Sequence, residues 1–206
     1  MSETEIGEAG LAHPSRHRLT PSQTVGPFFA FALTPTAYAY PALAGDDLRT
    51  DDAVGEPILI EGRVFDGAGE PIPDAMIEIW QADGAGRYPG AGSNARFKGF
   101  GRSETRNGGA YRFVTVKPGA VAGPGGGLQA PHINVGIFAR GLLKRLFTRL
   151  YFADEQANGS DAILAMVPAD RRATLIARRD GTRDGLPRYV LDFRLQGDGE
   201  TAFFEA

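Results

Sequence analysis

The sequence of 206 residues is long enough for one domain with a substantial core and short for two. Lys and Arg number 22 against 25 Asp and Glu, and the two signs are interspersed, which argues against a nucleic-acid or anionic-membrane partner. The absence of cysteine excludes disulfides, thiolate metal sites and cysteine nucleophiles. We expect a cytoplasmic protein, because residues 1–20 contain no apolar leader segment and no later run approaches membrane-spanning length.

Strand-like segments dominate the chain, and its 28 glycines and 14 prolines suit strands joined by many turns. An Asn-Gly-Gly turn at residues 107–109 predicts a hairpin between the strands on either side. In the strand at residues 76–80 we expect both faces to be covered by protein. The predicted strands are residues 58–65, 76–80, 100–105, 111–116, 130–140, 146–152 and 189–195, and residues 200–204 are predicted to close the sheet.

Helical signals are confined to the interval between Ser160 and Arg179. Ser160-Asp161 can cap a helix over residues 162–167, and Pro168 separates it from a second helical stretch at 169–178. Strands, a short helical insertion and further strands predict a mainly β fold of two packed antiparallel sheets, a β-sandwich. We assign residues 1–19 to a polar N-terminal arm, and residues 20–206 to a single sandwich domain.

Residues 130–140 carry the most informative pattern. Side chains alternate along a strand, so His132 and Asn134 lie on one face while Ile133 and Val135 lie on the other. Two imidazoles at this spacing could bind one metal ion, but Asn134 supplies an amide, which is a poor ligand for a transition metal. From these residues alone, a buried or interface histidine is the stronger interpretation of His132.

A further set of segments covers most of the chain from Thr20 onward, and their combination is more specific than any one of them: residues 20–28, 79–83, 86–88, 116–119, 130–141, 148–152 and 194–201. Together these segments resemble the intradiol ring-cleaving dioxygenases, in particular the alpha subunits of those that cleave protocatechuate. The resemblance implies a β-sandwich of the intradiol-dioxygenase type. It also implies O2-dependent cleavage of protocatechuate to 3-carboxy-cis,cis-muconate, within aromatic catabolism.

The catalytic subunit of this family binds a non-haem ferric ion through two tyrosines and two histidines. Tyr88 matches the first tyrosine position and His132 the first histidine position, whereas Asn134 stands at the second histidine position. No tyrosine occurs in residues 120–129, where the second tyrosine is expected. The resemblance therefore implies that Fe(III) is bound by a paralogous beta subunit, that this chain supplies no metal ligand, and that the two chains form a hetero-oligomer.

The resemblance also implies which residues of this chain face the substrate. In the family these lie in a Thr-x-Gly-Pro segment and at the arginine after the histidine-bearing strand. Carried over, the substrate-binding residues are Thr24, Gly26, Pro27 and Arg140, and none of them is catalytic. Arg140 is suited to this role because a planar guanidinium can pair with the ring carboxylate of protocatechuate, whereas without the resemblance it would be an exposed charge at a strand end.

Two alternatives remain open from the sequence. One is a transthyretin-like or ligand-binding β-sandwich without a catalytic role, which predicts that no second chain co-purifies and no aromatic acid binds. The other is a homomeric dioxygenase with rearranged metal ligands, which predicts stoichiometric iron in the isolated chain.

Overall fold

The computed structural model describes residues 24–26, 29–90, 96–106, 108–123 and 126–205, so the predicted arm at residues 1–19 lies outside it. Within these ranges, helices α1 (Phe29–Leu33) and α2 (Ala162–Met166) are short, and no helix is long and apolar enough to cross a membrane. Single 3₁₀ turns occupy Pro35–Tyr38, Gln156–Ser160 and Arg172–Leu175. The strands are β1 (Pro57–Phe65), β2 (Met76–Gln81), β3 (Phe100–Glu104), β4 (Ala110–Val116), β5 (Val121–Ala122), β6 (Leu128–Gln129), β7 (His132–Phe138), β8 (Leu146–Phe152), β9 (Ile176–Arg183), β10 (Leu186–Val190) and β11 (Phe193–Arg194).

Nine of these strands form one hydrogen-bonded sheet in the order β11-β1-β10-β9-β8-β7-β2-β3, with β4 also paired to β1. The pairs β1–β10, β1–β11 and β8–β9 are parallel. The mainly β prediction is confirmed, but the hydrogen bonds do not divide the strands into two antiparallel sheets. The long connection through α2 explains part of the difference, because it lets β9 return parallel to β8.

The core lies under the apolar faces of the central strands. Ile133, Val135 and Ile137 of β7 are each at most 2% exposed, as the predicted alternation requires. They belong to the same apolar cluster as Ile58 of β1 and Phe113 of β4, so both halves of the sheet share one core. Burying each such side chain stabilises the fold by about 1.5–3 kcal/mol.

The helical insertion is shorter than predicted. Asp161 is the N-cap of α2, and its carboxylate accepts the amide of Leu164 at 2.7 Å, which confirms the predicted cap. The second predicted helix, at residues 169–178, is wrong: one 3₁₀ turn is followed by strand β9 from Ile176. The signal for this strand was the Asp184-Gly185 pair, because both residues have positive φ (53° and 78°) and form the two-residue turn between β9 and β10.

The glycine turn near residue 108 connects two halves of the sheet. Gly108 and Gly109 have positive φ, in agreement with the predicted turn. However, β3 pairs with β2 and β4 pairs with β1, and within the described residues the two arms share a single bridge, between Arg106 and Ala110. The strand predicted at 189–195 is likewise split into β10 and β11, and the tail contributes a bridge between Phe204 and Phe147.

Candidate functional site

The residues singled out by the sequence gather at the two ends of strand β7. Antiparallel pairing places Asn134 between Trp80 of β2 and Arg149 of β8, and His132 opposite Tyr151 of β8. Directly opposed side chains on one face lie about 4.5–5.5 Å apart at Cβ. We call this group the His132 end: Trp80, Tyr88, His132, Asn134, Arg149 and Tyr151.

The ring of Tyr88 stacks on the indole of Trp80, with centroids 5.8 Å apart and an interplanar angle of 14°. Nδ2 of Asn134 donates to the phenolic oxygen of Tyr88 at 3.1 Å and to the carbonyl of Trp80 at 3.3 Å. Trp80 is 40% exposed in the single chain, so the prediction that both faces of residues 76–80 are covered by protein is wrong for this side chain. The oxygen of Tyr88 serves as the acceptor for an amide.

His132 is held neutral in a buried position. Its Nδ1 lies 2.7 Å from the carbonyl oxygen of Ala130, and because a carbonyl only accepts, Nδ1 carries the proton. Burial lowers the pKa of His132 below its usual value, and the nearby guanidinium of Arg149 lowers it further. With an exposure of 2%, the imidazole is fixed by packing and by this hydrogen bond.

A polar network continues beneath His132. Nη1 of Arg149 donates to Oε1 of Gln129 at 2.8 Å and to the hydroxyl of Tyr151 at 3.3 Å. Tyr151 in turn donates to Oδ1 of Asp161 at 3.2 Å, while Oδ2 of Asp161 accepts the amide of Ala130 at 2.7 Å. Burial raises the pKa of Tyr151 to about 12, so its hydroxyl stays protonated. The polar groups of this region are therefore engaged with one another.

The ferric donor set implied by the resemblance does not fit the residues of the His132 end. Tyr88 and Asn134 are hydrogen-bonded to each other, and a neutral amide replaces one of the imidazoles that would suit iron. Within the described ranges there is no group of three or more His, Cys, Asp or Glu residues that could hold a metal ion.

At its other end β7 leads into Arg140. Nε of Arg140 lies 2.9 Å from Oδ2 of Asp74, and the Arg140 side chain is 74% exposed. The amide of Gly141, the next residue, donates to Oγ1 of Thr24 at 3.2 Å. We call Thr24, Asp74 and Arg140 the Arg140 end. It differs from the His132 end in that its guanidinium is largely exposed, whereas Arg149 is only partly exposed.

The segment that contains Thr24 is packed against the end of β7. The ring of Phe29 lies 5.7 Å from that of Phe138, and the amide of Phe29 donates to the carbonyl of Gly26 at 3.0 Å. A Cβ on Gly26 would meet no atom within 4 Å, so this chain leaves space beside the glycine. Pro27 lies outside the described residues. Thr24 is thus brought beside Arg140, and the roles of Thr24, Gly26, Pro27 and Arg140 toward a substrate remain predictions.

Sequence reasoning missed Asp74 as a member of the site. The strands that contain Met76 and Phe138 were both predicted, and these two residues are direct partners in the β2–β7 ladder. Asp74 and Arg140 lie two residues beyond this pair, in turns just outside the two strands, where they form their ion pair. Alternation within single strands does not reveal which strands are neighbours, so the pairing appears only in the folded chain.

The chain is similar in sequence to known dioxygenases. Residues 26–197 match a family model described as Dioxygenase. The chain is 46% identical over 194 residues to a protocatechuate 3,4-dioxygenase alpha chain of Burkholderia cepacia, which covers 90% of this chain and 96% of that one. It is 34% identical over 172 residues to a protocatechuate 3,4-dioxygenase beta chain of the same species, covering 77% of this chain and 72% of the relative.

A solved structure has a similar fold. The dioxygenase domain of a carbohydrate-binding fusion protein from Streptomyces sp. SirexAA-E superposes with a TM-score of 0.57 at 26% identity, covering 86% of this chain and 98% of that domain. The family match covers most of the chain, and both relatives are more than 30% identical to it over most of their length. These similarities agree with the resemblance seen in the sequence motifs at both ends of β7. The chain belongs to the dioxygenase family of the intradiol ring-cleaving enzymes.

Proposed function

We propose that this chain is the alpha subunit of a protocatechuate-cleaving intradiol dioxygenase and completes an active site whose iron is held by a paralogous beta subunit. The observation that carries the proposal is the His132 end, where Asn134 occupies an expected imidazole position and the oxygen of Tyr88 accepts its amide. The relationship to both an alpha and a beta chain supports an assembly of two kinds of subunit.

Intradiol dioxygenases are non-haem iron enzymes, and their chemistry requires a site that binds a deprotonated diol. Anionic oxygens suit Fe(III), and an imidazole-containing donor set leaves positions for a chelating substrate. When bound, such an iron would supply the chemistry for O2-dependent cleavage of protocatechuate to 3-carboxy-cis,cis-muconate. In our proposal the beta subunit provides that donor set.

The contribution of this chain is at the Arg140 end. The guanidinium of Arg140 is largely exposed and uses Nε toward Asp74, so Nη1 and Nη2 are available for the ring carboxylate of a substrate across the subunit boundary. Thr24 lies beside it through the contact with Gly141, and Gly26 leaves open space that a ligand can enter. Together with Pro27, these residues form the wall that this chain adds to the site.

The fold that supports this wall is, in our proposal, a two-layer sandwich. One layer contains β1, β4, β9 and β10, and the other contains β2, β3, β7 and β8. Apolar residues of both groups share one cluster, for example Ile60 and Phe113 with Ile79 and Val135. Hydrogen bonds between β8 and β9 join the layers at one edge.

Co-expression with and without an iron-bearing beta subunit tests the proposed function. The isolated chain should contain no stoichiometric iron and should not cleave protocatechuate. The assembly should contain iron, cleave protocatechuate and show the burgundy colour of tyrosinate-to-iron charge transfer. The beta subunit expressed alone is the control for iron bound without this chain. About one iron per isolated chain with ring cleavage would instead establish the homomeric alternative, and failure to bind any second chain or aromatic acid would favour the non-catalytic sandwich.

A further inference from the structure

The ion pair between Asp74 and Arg140 follows from the register of two strands. Met76 of β2 is paired with Phe138 of β7, and the ladder continues to Gln81 and Ile133 without a shift. Asp74 and Arg140 lie two residues beyond Met76 and Phe138, in turns just outside the two strands. The register of the strands brings these turns together, and Nε of Arg140 lies 2.9 Å from Oδ2 of Asp74.

The backbone beside Asp74 is held rigidly. The fully buried hydroxyl of Thr105 accepts the amide of Ala75 at 2.8 Å and donates to the carbonyl of Ile72 at 2.6 Å. Pro73, directly before Asp74, restricts the chain further through its fixed φ. The carboxylate of Asp74 therefore projects from an anchored turn.

Arg140, in contrast, has a long side chain that is 74% exposed, and Asp74 is its one ion-pair partner among the described residues. An exposed arginine without a partner samples many rotamers, which must be restricted when it binds a ligand. A contact through Nε restricts the guanidinium while the edge formed by Nη1 and Nη2 stays open. That edge presents two parallel donors, which match a carboxylate.

We propose that Asp74 is a positioning residue for Arg140, which it orients so that the Nη1–Nη2 edge faces the ring carboxylate of the substrate. The inference rests on the proposed function, because it assumes that Arg140 binds this carboxylate. Asp74 itself does not touch the substrate. It orients Arg140 and partly offsets its charge, so that the pair favours a correctly placed carboxylate over anions in general.

The test uses the enzyme assembled with its beta subunit, with protocatechuate and catechol as substrates and kcat and KM measured separately. The variants are Asp74→Ala, Asp74→Asn, Arg140→Ala and the double variant Asp74→Ala with Arg140→Ala. Asparagine keeps an oxygen acceptor for Nε and removes the charge. Asp51→Ala is the matched control, because it removes another exposed ion pair, that of Asp51 with Arg96 at 2.7 Å.

Asp74→Ala should raise KM for protocatechuate roughly two- to fivefold, the range of an exposed ion pair, with kcat and the catechol constants nearly unchanged. The KM of Asp74→Asn for protocatechuate should lie close to that of wild type, and the KM of Asp51→Ala should be unchanged. The KM of the double variant should be no higher than that of Arg140→Ala alone. An unchanged or lower KM in Asp74→Ala would overturn the positioning role, as would equal losses on both diols. If Arg140→Ala impairs the use of protocatechuate more than that of catechol while Asp74→Ala does not, only the positioning role of Asp74 is wrong. If Arg140→Ala impairs the use of both diols equally, the proposed role of Arg140 is wrong, and the positioning role of Asp74 is wrong with it.

Discussion

The two ends of strand β7 differ in how far their polar side chains are exposed to solvent. At the His132 end, the imidazole is 2% exposed, and its Nδ1 is bonded to the Ala130 carbonyl. At the Arg140 end, the side chain of Arg140 is 74% exposed and forms an ion pair with Asp74, with Nε 2.9 Å from Oδ2. His132 thus has an internal hydrogen-bond partner in a buried position, whereas most of the Arg140 side chain faces solvent.

The difference lies in how the two ends of one strand provide partners for their polar side chains. Buried polar groups need internal partners, because an unsatisfied donor or acceptor costs free energy, and the network around Asp161 meets that need without a metal ion. A surface guanidinium has water as an alternative partner and can exchange it for a ligand. We therefore expect substitutions at the His132 end to change stability and those at the Arg140 end to change substrate use.

The largest effect should come from Asp161→Ala. Its carboxylate accepts the amides of Ala130 and Leu164 and the hydroxyl of Tyr151, so the substitution leaves several buried donors without partners. We expect the free energy of unfolding to fall by about 2–4 kcal/mol, as measured by denaturant titration. Asp161→Asn should cost less because it keeps one acceptor oxygen. Equal stability of Asp161→Ala and wild type would show that this network does not stabilise the region beneath His132.

Arg140→Ala should change substrate use while leaving iron content and subunit assembly intact. Loss of a charge-assisted pair costs about 1.5–3 kcal/mol, which corresponds to roughly one to two orders of magnitude in kcat/KM for protocatechuate. Catechol, which lacks the carboxylate, should be affected less, and Arg140→Lys should rescue only in part because it loses the planar fork. Equal losses on the two diols would indicate that Arg140 holds the interface.

The pH dependence of stability should distinguish His132. Its folded-state pKa is lowered from 6.5, so the unfolded chain binds more protons at this residue as the pH falls. The stability contributed by neutral His132 is present above about pH 6.5 and is lost as the pH falls toward the folded-state pKa. Unfolding measured between about pH 7 and pH 5 should therefore be less pH-dependent in His132→Gln than in wild type, and identical slopes would contradict a buried neutral imidazole. In the assembled enzyme this variant should keep its iron and turnover.

The smallest effect should come from Tyr88→Phe. The ring keeps its stacking on Trp80, and the lost hydroxyl accepts one hydrogen bond, from Asn134. Stability should change by less than about 1 kcal/mol, and iron content and turnover of the assembled enzyme should stay nearly unchanged. Loss of iron with assembly intact would show that Tyr88 is a working ligand and would remove the contrast between the two ends.

Several features were predictable because they depend on local patterns. Alternation identified the buried face of β7, and the capping role of Asp161 followed from its position before an apolar run. Strand β9, which begins at Ile176, was missed because its arginines and the preceding 3₁₀ turn hide the alternation of apolar and polar residues. The Asp184-Gly185 pair could have indicated the hairpin turn that follows this strand. The exposure of Trp80 was missed because an apolar side chain on a strand is usually covered.

The residue pattern alone was sufficient to predict a mainly β chain, because that conclusion depends on residue types and their spacing, whereas the incomplete set of iron donors is implied by the resemblance to the intradiol dioxygenases. Folding alone established that Asp74 faces Arg140, that Asn134 lies between Trp80 and Arg149, and that β9 runs parallel to β8. The physical reason is that side chains alternate between the two faces of a strand. This alternation determines the face on which a side chain lies but does not identify the neighbouring strand. Strand neighbours are selected by the burial of one shared core, which depends on residues far apart in the chain.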